Sequence, residues 1–339
     1  VPHGKFRGCE GKKVKIASVL SIATFVEVKN DNSISTFPQG FTRLIHTHLT
    51  KSDYQLLDFG GGRKLERVGD VVVDRPCPIT HSTREDPALW RETQLSFDLS
   101  EKDRWHNLNS WKGRTQESAG PWICRCDEIQ LQIKPTPAGQ LGIFPEHWAH
   151  WEWLRKLLFP YHEANPSRPR VLSLFAYTGA TTLALARLGC EVTHVDAAKP
   201  TVQWARENCE RSGLSEAPIR WIVDDAVAFV KRELRRKKQY EAILLDPPSY
   251  GHGIQGDRWE IHRDLIPLMD DCWQLLSDQR RLVLLCGHSS HVRIREINTH
   301  LAQLHGRASV TECEVAQAYL CDLSGRKLDC GFAAKYSLG

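Results

Sequence analysis

From about Leu141 onward the chain alternates short apolar runs with amphipathic segments, and no other feature restricts the possible folds as tightly. Strands are expected over Val171–Phe175, Glu191–Val195, Ile219–Val223, Ala242–Leu245 and Leu282–Cys286. Between them apolar residues recur at helical spacing, over Thr181–Leu188, Pro200–Ser212, Val227–Arg236 and a longer segment ending near Leu276. Strand alternating with helix builds a parallel sheet covered on both faces. In such a doubly wound α/β sheet, ligands sit beyond the carboxyl ends of the strands, where the strand order reverses.

Before residue 141 the texture changes. Residues 41–140 are rich in Gly, Pro, Ser and Thr, with strand-like runs "YQLLDFGGG", "DVVVDRP" and "EIQLQIKP" separated by turn signals. They are expected to form a smaller β-rich domain suited to binding a substrate. Residues 1–40 show no clear pattern and are expected to be an appendage, leaving residues 141–339 as the doubly wound domain.

A length of 339 residues with 41% apolar content permits a sizeable core. No stretch reaches the roughly 20 uninterrupted apolar residues of a membrane span. The best candidate, "IASVLSIATFVEV" from Ile16 to Val28, is shorter, ends in charges and lacks a convincing cleavage site, so neither a membrane partner nor secretion is expected. The 11 cysteines are scattered singly except for Cys124-x-Cys126, and most lie inside apolar runs where a thiol behaves as a small hydrophobe. That usage fits the reducing cytoplasm. A zinc site wants a second paired cluster, so no metal is expected. The net charge of +4 permits nucleic acid without requiring it. The run "KRELRRKK", Lys231 to Lys238, continues the helical pattern of Ala226, Phe229, Val230 and Leu234, and reads as a solvated helix face before an RNA contact.

Polar residues gather at the predicted strand ends. After the first strand, Thr178 and Gly179 in "FAYTGATTLALARLG" make a tight turn into a helix, leaving free backbone N–H groups at its start. The second strand ends at Asp196, where an acid commonly accepts from ribose hydroxyls. The third ends in Asp224-Asp225, either of which suits an exocyclic amine or a helix cap. The fourth runs into "LLDPPSYGHG", Leu244 to Gly253, with Asp246 at the strand terminus. A dinucleotide site wants G-x-G-x-x-G so that backbone approaches a pyrophosphate, whereas this turn carries one glycine beside the bulky Tyr177. A nucleotide-like cofactor without phosphate, such as S-adenosylmethionine, tolerates that bulk.

The stretch "VLSLFAYTGATTLALARLGCEVTHVDAAKPTVQWARENCERSGL", with "IRWIVDDAVAFV" and "AILLDPPSYGHG", resembles the class I S-adenosylmethionine-dependent methyltransferases related to bacterial large-subunit ribosomal RNA methyltransferases. The segments "GIFPEHWAHWEWL" and "CGFAAKYS" extend the resemblance over roughly residues 141–339, with a weaker echo in "YQLLDFGGGRKLERVG". It implies a Rossmann-like sheet and S-adenosylmethionine as cofactor. It further implies that Phe175, Ala176, Tyr177, Thr178 and Gly179 wrap the methionine end, that Asp196 holds the ribose and that Asp225 meets the adenine. Asp246 would lie beside the sulfonium, and the "GIFPE" segment would bring Phe144 and Glu146 over the cofactor.

For the acceptor, Asp246 and the carbonyl of Pro247 suit an amino or ring N–H, Pro247 and Pro248 restrict the backbone, and Tyr250 suits stacking on a flipped-out base. Methylation at cytosine C5 needs a thiolate. Relatives with that activity carry a cysteine where "LLCGHSSHV" places His288, and Cys286 lies deeper in the strand, so nitrogen is favoured. His252, His288 and His291 are weaker candidates for a base or phosphate contact. The expected substrate is RNA, ribosomal by resemblance. A protein side chain or small-molecule acceptor, a nicotinamide-dependent oxidoreductase and an idle RNA-binding module are the alternatives.

Overall fold

Apolar runs, the first three separated by glycine turns, open the described part of the chain as a five-stranded sheet: β1 (Tyr54–Gly60), β2 (Arg63–Val68), β3 (Val71–Pro76), β4 (Leu95–Asp98) and β5 (Ser110–Gly113), in that order. All its pairings are antiparallel except β3 with β4. The computed structural model describes residues 52–98, 110–113, 120–164, 167–252, 258–288, 292, 294–305 and 312–338. The appendage expected over 1–40, with the Ile16–Val28 run, lies outside these residues, as do His291 and the side chain of His252.

A hairpin follows, β6 (Trp122–Cys126) with β7 (Ile129–Ile133). Alternation puts Cys124, Cys126, Ile129, Leu131 and Ile133 in one apolar cluster that also takes Val68, Val73 and Leu95 from the first sheet. Cys124 and Cys126 are core residues; burial pushes the Cys124 thiol up to about 12 and also raises Cys126.

The helix α1 (Trp151–Ala164) leads into the main sheet, whose strands are β8 (Arg170–Leu174), β9 (Glu191–Asp196), β10 (Ile219–Val223) and β11 (Ala242–Leu245). The connecting helices are α2 (Ala180–Arg187), α3 (Lys199–Arg211) and α4 (Ala226–Arg235). After β11 comes a short hairpin, β12 (Tyr250–His252) with β13 (Arg258–Glu260), then α5 (Ile261–Leu275), β14 (Arg281–Gly287), α6 (Ile294–His305), β15 (Glu312–Cys321) and β16 (Lys327–Leu338).

The strand order is β10-β9-β8-β11-β14-β16-β15. The first five are parallel, and β16 enters antiparallel beside β14. Every predicted strand after Leu141 forms, to within a residue or two at its ends. Phe175 is the exception: it leaves β8 with φ of 54° because the chain turns there toward the helix.

Alternating side chains of the sheet divide between two cores. Leu172, Leu174, Ile243, Leu245, Val283 and Leu285 pack with Phe229 of α4, Leu265 of α5 and Leu301 of α6. Val171, Ala242, Leu244, Leu282 and Leu284 pack with Leu154 and Leu158 of α1 and Leu185 of α2. Helices therefore cover both faces, as near-continuous apolar strands require. The order reverses between β8 and β11, so the ends of these neighbours flank the crevice where ligands bind. On α4 the basic run is exposed at Lys231 and over 235–238, while Arg232 pairs with Asp224 and Arg236 with Glu233.

Candidate active site

The loop between β8 and α2 is held in a costly shape. Phe175 and Tyr177 have φ of 54° and 49°, the left-handed region that disfavours side chains. Each such residue costs about 1–3 kcal/mol and persists only where its surroundings impose it. Here they do: the Ala176 N–H donates to the Val195 carbonyl at 3.0 Å and the Tyr177 N–H to Asp196 Oδ2 at 2.9 Å. The side-chain amide of the fully buried Asn208, on α3, donates to the Thr178 carbonyl at 2.9 Å. Its Oδ1 accepts from the Gln132 N–H at 2.8 Å. One asparagine thus locks the loop to hairpin β6–β7. Gly179, with φ of 86°, turns the chain into α2, and a Cβ there would meet that of Ala205 at 3.1 Å.

Thr178 is buried, and its hydroxyl donates to the Gly142 carbonyl at 2.6 Å. Gly142 has φ of 93°, and a Cβ on it would lie 2.2 Å from Trp204. That glycine lets the "GIFPE" segment cross close over the loop. The segment continues into a 3-10 turn, Pro145–His150, in which residues three apart share a face. Phe144 and His147 consequently point together, ring centroids 5.8 Å apart, and Phe144 reaches Tyr177 at 5.3 Å.

Around this frame an open cleft is lined by Phe144, Phe175, Tyr177, Asp196, Trp259 and Asp246 among others. A smaller pocket beneath it shares Phe144, Phe175, Tyr177 and Asp246 and adds His147, Thr178, Gly179 and Cys286. Together their linings carry four carboxylates, Asp196, Asp224, Asp225 and Asp246, and no lysine or arginine among the described residues. Such a cleft attracts cations and repels phosphate.

Each carboxylate is fixed in its own way. Asp196 accepts from Tyr177 and, through Oδ1, from the Ala198 N–H at 2.9 Å; burial raises its pKa against these bonds. Both oxygens keep acceptor capacity toward the cleft. Asp225 caps α4, accepting from the Ala228 N–H at 2.9 Å. Asp224 accepts from the Asp225 N–H and pairs with Arg232. Asp246 Oδ2 lies 3.5 Å from His147 Nε2, and His288 Nε2 lies 3.6 Å from Glu146 Oε1. His147, Asp246 and His288 each bring one ligand-capable atom within 4.8 Å of the others.

Pro247 and Pro248 line the cleft with Ser249 and Gly251. The Pro248 carbonyl accepts from the Trp259 indole at 2.7 Å, which clamps the "DPPSY" run to β13. Tyr250 is not among the lining residues: it lies between Ser249 and Gly251 on the strand, so alternation turns its ring away, 60% exposed. Glu146 is likewise outside the lining and reaches the site through His288. Cys286 lines the smaller pocket, and burial and the charges of Asp246 and Glu146 raise its thiol well above the usual range.

A family profile described as conserved hypothetical protein 95 matches residues 151–304. Among solved structures, an S-adenosylmethionine-dependent methyltransferase of Agrobacterium tumefaciens is 30% identical, with 84% of this chain and 90% of that one aligned at a TM-score of 0.75. The chain belongs to the S-adenosylmethionine-dependent methyltransferases. A Streptococcus mutans protein, 18% identical with a TM-score of 0.61 over 87% of this chain and 77% of its own, shares the fold. The ribosomal RNA large subunit methyltransferase K/L of Shewanella frigidimarina is 34% identical over 115 residues, 33% of this chain. That of Hahella chejuensis is 29% identical over 174 residues, 50% of this chain. The methyltransferase spans only 16% and 23% of these two curated relatives.

The residues present fit the cofactor of this family. S-adenosylmethionine is cationic at sulfur and carries no phosphate, matching a cleft of carboxylates without lysine or arginine. Of the thirteen residues named from sequence for the cofactor or the acceptor, eleven line this methyltransferase's cleft: Phe144, Phe175, Ala176, Tyr177, Thr178, Gly179, Asp196, Asp225, Asp246, Pro247 and Pro248, with Glu146 and Tyr250 outside it. Sequence reasoning missed His147, Asn208 and Trp259. The signal for His147 was available in Pro145, a helix-start residue that puts 144 and 147 on one face.

Proposed function

We propose that this methyltransferase modifies RNA, in the ribosomal class named for its curated relatives, at a nitrogen atom of a base. The observation that carries the nitrogen acceptor is Asp246 followed by two prolines, in a cleft whose lining holds four carboxylates and no lysine or arginine. Bound S-adenosylmethionine supplies a methyl group on a sulfonium, which transfers in line to a nucleophile.

In this reading the loop from Phe175 to Gly179 wraps the methionine end, Asp196 accepts from the ribose hydroxyls and Asp225 faces the adenine. Phe144 covers the cofactor beside Tyr177. Asp246 and the Pro247 carbonyl accept from the N–H groups of the acceptor and aim its lone pair, an alignment that supplies much of the rate. Carbon methylation at cytosine C5 needs a thiolate, and the buried Cys286 thiol resists ionisation. The smaller domain proposed for residues 41–140 presents the RNA, and Tyr250, turned outward and 60% exposed, offers a stacking ring outside the cleft. A cytoplasmic setting fits ten described cysteines that are all free thiols.

The test is tritiated-methyl transfer into undermethylated ribosomal RNA, followed by nucleoside analysis. Label in one N-methylated base is expected. Label in 5-methylcytosine, or in protein or small molecules alone, overturns the acceptor.

A further inference from the structure

We propose that His147 is a catalytic residue that takes the proton released by the acceptor nitrogen, with Asp246 holding the resulting imidazolium; the proposal rests on the nitrogen acceptor proposed above. His147 Nε2 is buried and has no hydrogen bond among the described residues. It points across 3.5 Å at Asp246 Oδ2, a gap too long for an ordinary hydrogen bond. An acceptor amine entering the pocket finds an acceptor atom on each side.

Nitrogen methylation has a proton to dispose of. The acceptor lone pair forms the N–CH₃ bond as the S–CH₃ bond breaks and leaves its electron pair on sulfur. The methylated nitrogen, now cationic, gives its proton to His147 Nε2. Asp246 alone is a poor final home for that proton, since a carboxylate is a far weaker base than an imidazole. Its place is to face the imidazolium with a carboxylate oxygen across the 3.5 Å gap. In the proposal the proton then passes outward by way of His288, whose side chain is 41% exposed and stands 3.6 Å from Glu146, its ring centroid 6.1 Å from that of His147. The titratable groups facing His147 are Asp246, His150 and His288, with Glu146 beside His288.

The same His-Asp-His geometry offers three ligand atoms to a divalent metal. Electrostatics disfavour that occupant, because a dication would lie in the cleft that receives a sulfonium, and like charges repel steeply at such range.

Wild type, His147→Gln, His147→Ala and His288→Ala are compared in four measurements. They are affinity for S-adenosylhomocysteine by calorimetry, single-turnover methyl transfer to RNA from about pH 5 to 9, rescue by added imidazole, and bound zinc after incubation with Zn²⁺. His147→Gln is expected to bind S-adenosylhomocysteine within about threefold of wild type while the rate falls about 100-fold. Imidazole is expected to restore part of the rate in His147→Ala alone. Turnover in His147→Gln within about threefold of wild type overturns the proposal. So does one zinc per chain that both alanine variants lose, if chelation slows the wild type. A wild type that binds S-adenosylhomocysteine yet methylates no nitrogen overturns the acceptor assignment and this proposal with it.

Discussion

The Thr178 hydroxyl donates to the Gly142 carbonyl at 2.6 Å, joining the loop after β8 to the segment that carries Phe144 and His147. Replacing Thr178 with valine keeps the shape and leaves a buried carbonyl without its donor, a loss of about 1–3 kcal/mol. Thr178→Val is therefore expected to lower the urea midpoint and to weaken S-adenosylhomocysteine binding together. If binding weakens with no change in the midpoint, the hydroxyl contacts the cofactor instead of joining the segments.

Asp196 already accepts two backbone N–H groups, from Tyr177 and Ala198. Asp196→Ala removes the proposed ribose contact and the support of the left-handed Tyr177 at once. S-adenosylhomocysteine affinity is expected to fall by at least about 2 kcal/mol, roughly 30-fold, in calorimetry. An affinity within a factor of two of wild type would remove Asp196 from the cofactor site.

Asp246 lies at the far end of the same cleft, between the cofactor loop and His147. Asp246→Ala is expected to slow methyl transfer by at least about 100-fold. S-adenosylhomocysteine binding should change far less, because the carboxylate serves the acceptor. Unchanged turnover would sink the acceptor role.

Stability is expected to fall in acid. Burial holds His150 and His194 neutral, each with its pKa lowered from 6.5 to about 3. Above about pH 6.5 both are uncharged folded or unfolded and exact no penalty; below it the unfolded chain binds protons that the folded state refuses. The loss is about 1.4 kcal/mol per pH unit for each histidine until the folded groups titrate. Burial by itself would raise Glu66, but the Arg75 and Lys64 cations hold it at about 2, so its contribution, present above 4.5, is lost as pH falls through 2. Asp74 and Asp196, which burial raises, act in the opposite sense. Urea midpoints at about pH 7.5 and 5.5 check the sign, which an equal or higher midpoint at the lower pH would reverse.

Much of this was legible because strand and helix periodicities are local. The runs at Val171, Glu191, Ile219 and Ala242 became β8 to β11, and the acids at their ends, Asp196, Asp225 and Asp246, arrived at one crevice because parallel strands share an end. Terminal strands β15 and β16 were not read, since their long antiparallel pairing shows only when the partner strand is in place. Tyr250 looked equivalent to its neighbours in "DPPSY", yet the pairing of β12 with β13 turned it outward.

The sequence by itself determined the alternation, and with it the sheet, the crevice and the acidic character of its edge. Only the tertiary structure decided which polar groups face one another. His147 is distant from Asp246 along the chain and 3.5 Å from it in space, and Asn208 reaches back from α3 to fix Thr178. Such contacts follow from how helices and loops pack, which depends on all the neighbouring side chains together and leaves no periodic trace in any one segment.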